Sequence, residues 1–285
     1  MKRIIVFTII FLIQPAFAKI VQTDSADFIF QEIQKLDPYR TLIVFDIDNT
    51  LLASDTDLGS EQWFEWQKTL MKNPGFDYGQ IRESWDSFFL FVDRLNSTLK
   101  MHPVDPAWVN IVKDLQKKHY RVIVETSRSW KTQLGTERQF QENGFDFSNS
   151  AISKASVNLQ SGLLKFTGQE VIDLKLGEVR PTSFEKGVYY TEGQHKGAFL
   201  RKLLVDLNQD SNFKDIVFID NDYANKHIVG MEQMFARFSD KITVHNFKYV
   251  AENEKMDCFI EETDKDPVIL EAIQWIGHLG LNLVQ

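Results

Sequence analysis

The chain has 285 residues, of which 43% are apolar and 25% charged, with 40 acidic side chains against 32 basic ones and a formal charge of -8. That balance excludes a disordered or collagen-like chain, and the length provides for one large α/β domain or a core with a smaller insertion. An acidic surface repels nucleic-acid phosphates and offers no polybasic face to anionic lipid, so nucleic acid is not an expected partner.

Met1, Lys2 and Arg3 make a short cationic start, Ile4 to Ile13 is apolar except for Thr8, and Ala16-Phe17-Ala18 has the small-x-small pattern of a cleavage site. Residues 1–18 are therefore expected to be a signal peptide, too short to cross a bilayer comfortably, and no stable membrane anchor is expected after cleavage. Loss of Lys2 and Arg3 takes the formal charge from -8 to -10, which gives an acidic exported protein, periplasmic or secreted. The single cysteine, Cys258, excludes an internal disulfide. Its apolar neighbours Phe259 and Ile260 predict a small buried hydrophobe and not a nucleophile.

Five short apolar runs, at 42–45, 122–124, 188–190, 216–219 and 242–244, read as buried strands. Helical periodicity lies between them: Asp105-Pro106 opens a helix carrying Val109, Val112 and Leu115 inward, and 198–207 and 225–238 are similar. Strand and helix alternate, so the expected fold is α/β, a Rossmann-like parallel sheet with flanking helices. The core is expected over 19–52 and 105–285. Residues 53–104 read as a small helical insertion: Ile81, Trp85, Phe88, Phe89, Val92, Leu95 and Leu99 share a helix face, and Trp63, Phe64 and Trp66 crowd a preceding helix. Trp63 and Trp66 are candidate substrate-lining residues, and the aromatic content favours a flat or partly apolar leaving group. A second insertion over 148–187 reads as a β-hairpin, from Val157/Leu159 and Leu163/Phe166 around Ser161-Gly162.

Ligands of open parallel sheets bind outside the carboxyl ends of the strands. The polar residues there are Asp46-Ile47-Asp48-Asn49-Thr50, Thr126-Ser127-Arg128 and Asp220-Asn221-Asp222, with a helix opening at Lys196-Gly197. Carboxylates gathered with oxygen donors only, and no nearby His or Cys ligand, point to a hard cation such as Mg²⁺. Lys196 and the Thr126 hydroxyl are suited to hold phosphoryl oxygens, Asp46 to attack phosphorus, and Asp48 to protonate the leaving oxygen and then activate water. Ser127 and Arg128 are further substrate-binding candidates; Arg128 either binds a second anionic group or caps a helix. His195 reads as a surface histidine, with touching substrate as the lesser alternative.

Asp46-x-Asp48-x-Thr50, Val124-Glu125-Thr126, Lys196 and Ile219-Asp220 with Asn225 beyond resemble, in order and spacing, the four motifs of the haloacid dehalogenase (HAD) superfamily, and more narrowly exported bacterial HAD-like proteins of unassigned function. The resemblance spans roughly 40–250. It implies a HAD-like core with a cap, and a Mg²⁺-dependent phosphohydrolase acting on a small phosphomonoester through an aspartyl-phosphate. It also implies metal binding by the carboxylates of Asp46 and Asp220 and the backbone carbonyl of Asp48, with Asp46 as nucleophile, Asp48 as acid/base, Thr126 as phosphate donor and Lys196 as charge clamp. Asp48 disfavours dehalogenation, which needs no proton donor. Asn221, where the fourth motif commonly has a second acid, implies weakened or retuned metal binding. Two alternatives use the same scaffold: a non-catalytic secreted binding module, and a phosphotransferase.

Overall fold

The computed structural model describes residues 20–72, 78–82, 84–153, 157–158, 165–238 and 241–279. The signal-peptide segment and the Ser161-Gly162 turn lie outside the described residues. In chain order the elements are β1 (Val21–Thr23), α1 (Ala26–Ile33), β2 (Thr41–Phe45), β3 (Leu52–Ser54), α2 (Glu61–Leu70), α3 (Trp85–Thr98), β4 (Met101–Pro103), α4 (Ala107–Lys117), β5 (Arg121–Thr126), α5 (Gln133–Glu142), β6 (Val157–Asn158), α6 (Gly168–Leu174), β7 (Ser183–Glu185), β8 (Val188–Tyr190), α7 (Lys196–Asp206), β9 (Asp215–Asp220), α8 (Lys226–Phe238), β10 (Thr243–Tyr249), α9 (Asn253–Glu261) and α10 (Asp266–His278).

The apolar runs become strands because both of their faces are covered. In β2, Leu42 and Val44 point to one side, into a cluster with Ile123, Ile216 and Phe218 under α7 and α8. Ile43 and Phe45 point to the other, with Val122, Val124, Val217 and Ile219 under α1 and α4. Strand side chains alternate faces, so a sheet sandwiched by helices needs apolar residues at consecutive positions, which is the pattern of four of the five runs; in the run at 242–244, Thr243 is exposed and Val244 is buried. Trp108 of α4 meets Phe45 edge-on at 5.1 Å between ring centroids and packs against Tyr249. Asp105 prepares that helix by accepting the Ala107 amide at 2.8 Å.

The main sheet has eight strands in the order β1-β10-β9-β2-β5-β8-β7-β6. The six from β1 to β8 run parallel, and β7 and β6 add antiparallel at one edge. The fold is α/β and Rossmann-like. Residues 148–187 supply this antiparallel edge, and they also hold helix α6, which the alternation around Ser161 does not suggest.

Antiparallel β3 and β4 form a separate ribbon that brackets α2 and α3. Helix α3 begins at Trp85 and buries Phe88, Phe91 and Leu95; Ile81 and Leu99 lie just beyond its ends, and Phe89 is exposed. The cluster formed by Leu58, Trp63, Phe88, Phe91 and Leu95 also contains Phe259, Val268, Ala272 and Ile276 of α9 and α10. The C-terminal helices therefore pack on the insertion. Their apolar stripes are the reason: Met256 and Phe259 turn inward, and Cys258 between them on the opposite face is exposed, contrary to the buried position its neighbours suggest.

Candidate active site at the carboxyl ends of the strands

Strand β2 ends at Phe45, and the chain then turns tightly, with the Ile47 carbonyl accepting from the amides of Leu51 and Leu52 at 2.9 Å each. Asn49 adopts φ 54°, a left-handed conformation that asparagine tolerates. Asp46 is anchored through its amide to the Ile219 carbonyl of β9 at 2.9 Å. Thr50 accepts the Asn221 amide at 2.9 Å, tying the loop after β2 to the loop after β9. Phe45 is in register with both Ile219 and Val124, so Asp46, Asp220 and Thr126 emerge at one end of adjacent strands.

Lys196 opens α7, capped by His195, whose Nδ1 accepts the Ala198 amide at 3.2 Å. His195 is thus a half-buried helix cap and not a free surface histidine. The Lys196 ammonium is buried and donates to Asp46 Oδ1 at 2.6 Å and to Asp220 Oδ2 at 2.7 Å. The other Asp220 oxygen accepts the Asp222 amide at 2.8 Å, and Asp222 accepts the Ile228 amide at 2.8 Å at the start of α8. Asn225 pairs with Lys248 at 2.9 Å.

Burial, reinforced by Asp220 and Asp48 and opposed by Lys196, pushes the Asp46 carboxyl up to about 7. Burial would also raise Asp220, but Lys196 outweighs it and holds that carboxyl below its ordinary value. For Lys196, burial works against the charge, and Asp220 and Asp46 override it. The pair Asp46 and Asp220 therefore divides one buried ammonium unequally, with Asp220 the firmly ionised member.

Arg128 reaches Asp48 with both ends of its fork, Nε to Oδ2 at 3.0 Å and Nη2 to Oδ1 at 2.7 Å. Its remaining donors go to Thr136 at 3.1 Å, Gln139 at 2.7 Å and Met101 Sδ at 3.0 Å. A guanidinium has five N–H groups, so none is left for a substrate anion. The expectation that Arg128 binds substrate or caps a helix is replaced by a side-chain strut beneath Asp48. Thr126 is fully buried; its hydroxyl accepts the Arg128 amide at 3.2 Å. Ser127 is exposed. Trp63 is enclosed against Phe88 and Phe91 and offers no free face to a substrate, and Trp66 lies edge-on to Phe259 of α9, in the contact between the insertion and the C-terminal helices.

Other site residues escape a strand-end reading. Glu61, in the first turn of α2, accepts from the Asn221 side-chain amide. Burial first, then Asp46, pushes its carboxyl well above the ordinary range. Gln62 accepts from Asn49 at 3.4 Å. Glu125 is buried behind Lys196, with neither carboxyl oxygen hydrogen-bonded among the described residues, and burial drives its carboxyl strongly upward. Gln139, besides holding Arg128, donates to the carbonyls of Asn96 at 2.9 Å and Leu99 at 3.0 Å at the end of α3. In sequence, Ser60-Glu61 reads only as a helix cap with an acid in the first turn, and nothing marks Gln139.

Among the described residues, no three His, Cys, Asp or Glu side chains form a ready-made metal cage, and no helix is long and apolar enough to cross a membrane. No curated protein and no solved structure matches the chain significantly. A family model does match, over residues 22–276, and the chain belongs to that family, described as a protein of unknown function (DUF2608).

Proposed function

We propose that this chain is a Mg²⁺-dependent hydrolase of small phosphomonoesters, working through an aspartyl-phosphate at Asp46. The observation that carries the reading is the buried Lys196 ammonium bridging Asp46 and Asp220 at the ends of neighbouring strands, beside Asp48. In the HAD superfamily, which the motif order resembles, this trio serves phosphoryl transfer.

The donor set fits a hard cation. Asp46, Asp48, Asp220, Asp222 and Glu61 outnumber Lys196 and Arg128, and Asp46 is driven up to about 7 by burial and its acidic neighbours, which is the electrostatic condition a divalent ion relieves. The ligand set implied by the resemblance has two side-chain carboxylates, Asp46 and Asp220, and the Asp48 carbonyl, so it needs no three-carboxylate cage. Bound there, Mg²⁺ would neutralise phosphoryl charge and hold the transferring group in line.

The Asp46 carboxylate attacks phosphorus, the bond from phosphorus to the leaving oxygen breaks, and that oxygen takes the electron pair and a proton from Asp48. Water then attacks the same phosphorus while Asp48 receives its proton; the bond from phosphorus to the Asp46 oxygen breaks, Asp46 regains its carboxylate, and phosphate leaves. Lys196 offsets the negative charge of Asp46 and Asp220 throughout. With Trp63 enclosed in the insertion and Trp66 set edge-on to Phe259 of α9, the case for an aryl or nucleoside leaving group loses its main support, and the reading stops at a small phosphomonoester.

One observation favours a second reading, a non-catalytic binding module: Arg128 occupies both Asp48 oxygens, and proton transfer by Asp48 requires that fork to open. Hydrolysis of an aryl phosphate by the purified protein with Mg²⁺ or EDTA, alongside Asp46→Asn, separates the two. Turnover that needs Mg²⁺ and disappears in Asp46→Asn supports the hydrolase. Folded protein with no turnover above that variant on a panel of small phosphomonoesters supports the binding module. Stimulation by added alcohols would identify phosphotransfer.

A further inference from the structure

Helix α2 begins against the candidate site. Its first two residues take hold of the core in different places: Glu61 accepts from the Asn221 side chain after β9, and Gln62 accepts from Asn49 after β2 at 3.4 Å. Asn221 is itself fixed from behind, its backbone amide on Thr50 at 2.9 Å and its side-chain oxygen facing the Thr50 hydroxyl at 3.5 Å. The amide NH₂ of Asn221 is therefore aimed at the insertion, and Glu61 meets it.

A carboxylate is a costly choice for that meeting. Asp46, Asp48 and Asp220 all repel it, and a glutamine would make the same hydrogen bond to Asn221 without the repulsion. A tether alone would not call for an acid here. A carboxylate among carboxylates is favourable only where a cation offsets the sum, and the buried Lys196 ammonium is already shared between Asp46 and Asp220.

We infer that Glu61 is a working part of the cation site: a positioning residue on the insertion that, held by the Asn221 amide, adds its negative charge to the Asp46–Asp220 pair and raises the site's affinity for a divalent ion. The inference rests on the magnesium reading above. In this arrangement the core supplies the inner carboxylates and the insertion supplies the outer one, so the ion is held firmly only when α2 is seated. Asn221 follows from the same logic: an aspartate there would face Glu61 with like charge, whereas the amide donates to it.

The test is isothermal titration of Mg²⁺ into the purified protein, with Glu61→Gln and with the reversed pair Glu61→Gln/Asn221→Asp. Glu61→Gln keeps the shape of the contact and removes only the charge; its Mg²⁺ affinity should fall by about tenfold, the lower end of the range for outer-shell partners of metal ligands. The reversed pair restores both the charge and a donor–acceptor match, and should recover most of that loss. Thermal melting in EDTA supplies a readout independent of the ion, in which Glu61→Gln should be at least as stable as the parent because the parent must fold with an acid whose ionised form burial and Asp46 oppose. Equal Mg²⁺ affinity in the parent and Glu61→Gln, or no recovery in the reversed pair, overturns the role of Glu61 and leaves the magnesium reading standing. Folded parent protein that takes up no Mg²⁺ overturns the magnesium reading itself, and this inference with it.

Discussion

Arg128 spends every donor it has inside the protein, and this decides what a substitution there should do. Two of its contacts go to Asp48, and the others go to Thr136, Gln139 and Met101. A residue that bound substrate would raise KM when altered; one that fixes the acid/base should lower kcat and leave KM nearly unchanged. Arg128→Lys keeps a cation but loses the planar fork, and kcat should fall by about 10- to 100-fold, the scale of outer-shell orienting partners. Steady-state kinetics on a small phosphomonoester would show the split, and a rise in KM alone would return Arg128 to substrate binding. The pH dependence of stability belongs to this scale too. Burial holds Asp46 at about 7 in the folded chain against an unfolded value of 3.8, so its ionisation opposes folding. The sign follows: in EDTA, its contribution is fully present below about pH 4 and is lost as pH rises toward about 7. Asp220, held below its ordinary value, acts in the opposite sense, stabilising above that value and losing its effect only in acid. Asp46→Asn removes the first effect and leaves Lys196 to Asp220, whose own contribution changes only at lower pH. The melting temperature of this variant minus that of the parent, measured in EDTA, should grow between pH 5 and pH 8; a flat difference would mean that Asp46 is ionised throughout.

Among the elements, α7 and α8 carry the site from below, and they meet backbone to backbone one residue from Lys196. A Cβ on Gly197 would stand 2.8 Å from the Gly230 carbonyl oxygen and 2.8 Å from Met231 Cα. Both are backbone atoms, so α8 would have to shift. Gly197→Ala should cost about 1–3 kcal/mol, as overpacking does, and should also depress turnover because moving the start of α7 moves the ammonium between Asp46 and Asp220. Paired melting and kcat measurements test this, and loss of stability with full turnover would separate the packing from the site. The strands bearing Asp46, Thr126 and Asp220 were legible in the sequence because a strand buried on both faces spells its environment directly in consecutive apolar residues. Lys196 was legible because it stands at a helix start. Glu61 was not: its place depends on how a helix about fifteen residues downstream of Asp46 settles over a loop from a distant strand, which no local periodicity encodes. Trp63 misled for a related reason, since three-residue aromatic spacing fits an enclosed helix face and a pocket wall equally well. Gln139 was invisible because its partners, Arg128 and the end of α3, meet it only in three dimensions.

For the whole molecule, the bond between insertion and C-terminus matters most. Phe259, Val268, Ala272 and Ile276 share one apolar cluster with Trp63, Phe88, Phe91 and Leu95, whereas the sheet's two faces are filled by separate clusters. The C-terminal helices and the insertion thus build a module that presents α2, and with it Glu61 and Gln62, to the strand ends. Lys255 of α9 adds a polar link by donating to the Ser54 carbonyl at 3.2 Å, where the ribbon joins the insertion. Phe259, 4% exposed and edge-on to Trp66, is the side chain through which this module is best weakened. Phe259→Ala should cost about 3–5 kcal/mol, because removing a buried ring forfeits its transfer energy and leaves a cavity. The loss should be uneven. Amides of α2 and α3 should exchange with deuterium faster while those of β2 and β9 keep their protection, since the sheet's clusters contain neither Phe259 nor its neighbours. Mg²⁺ affinity should fall in the same variant through the displaced Glu61, although Phe259 belongs to a packing cluster that contains none of the proposed ligands. Uniformly accelerated exchange across strands and helices would instead make insertion and sheet a single cooperative unit, in which α2 cannot loosen without unfolding the strand ends it covers.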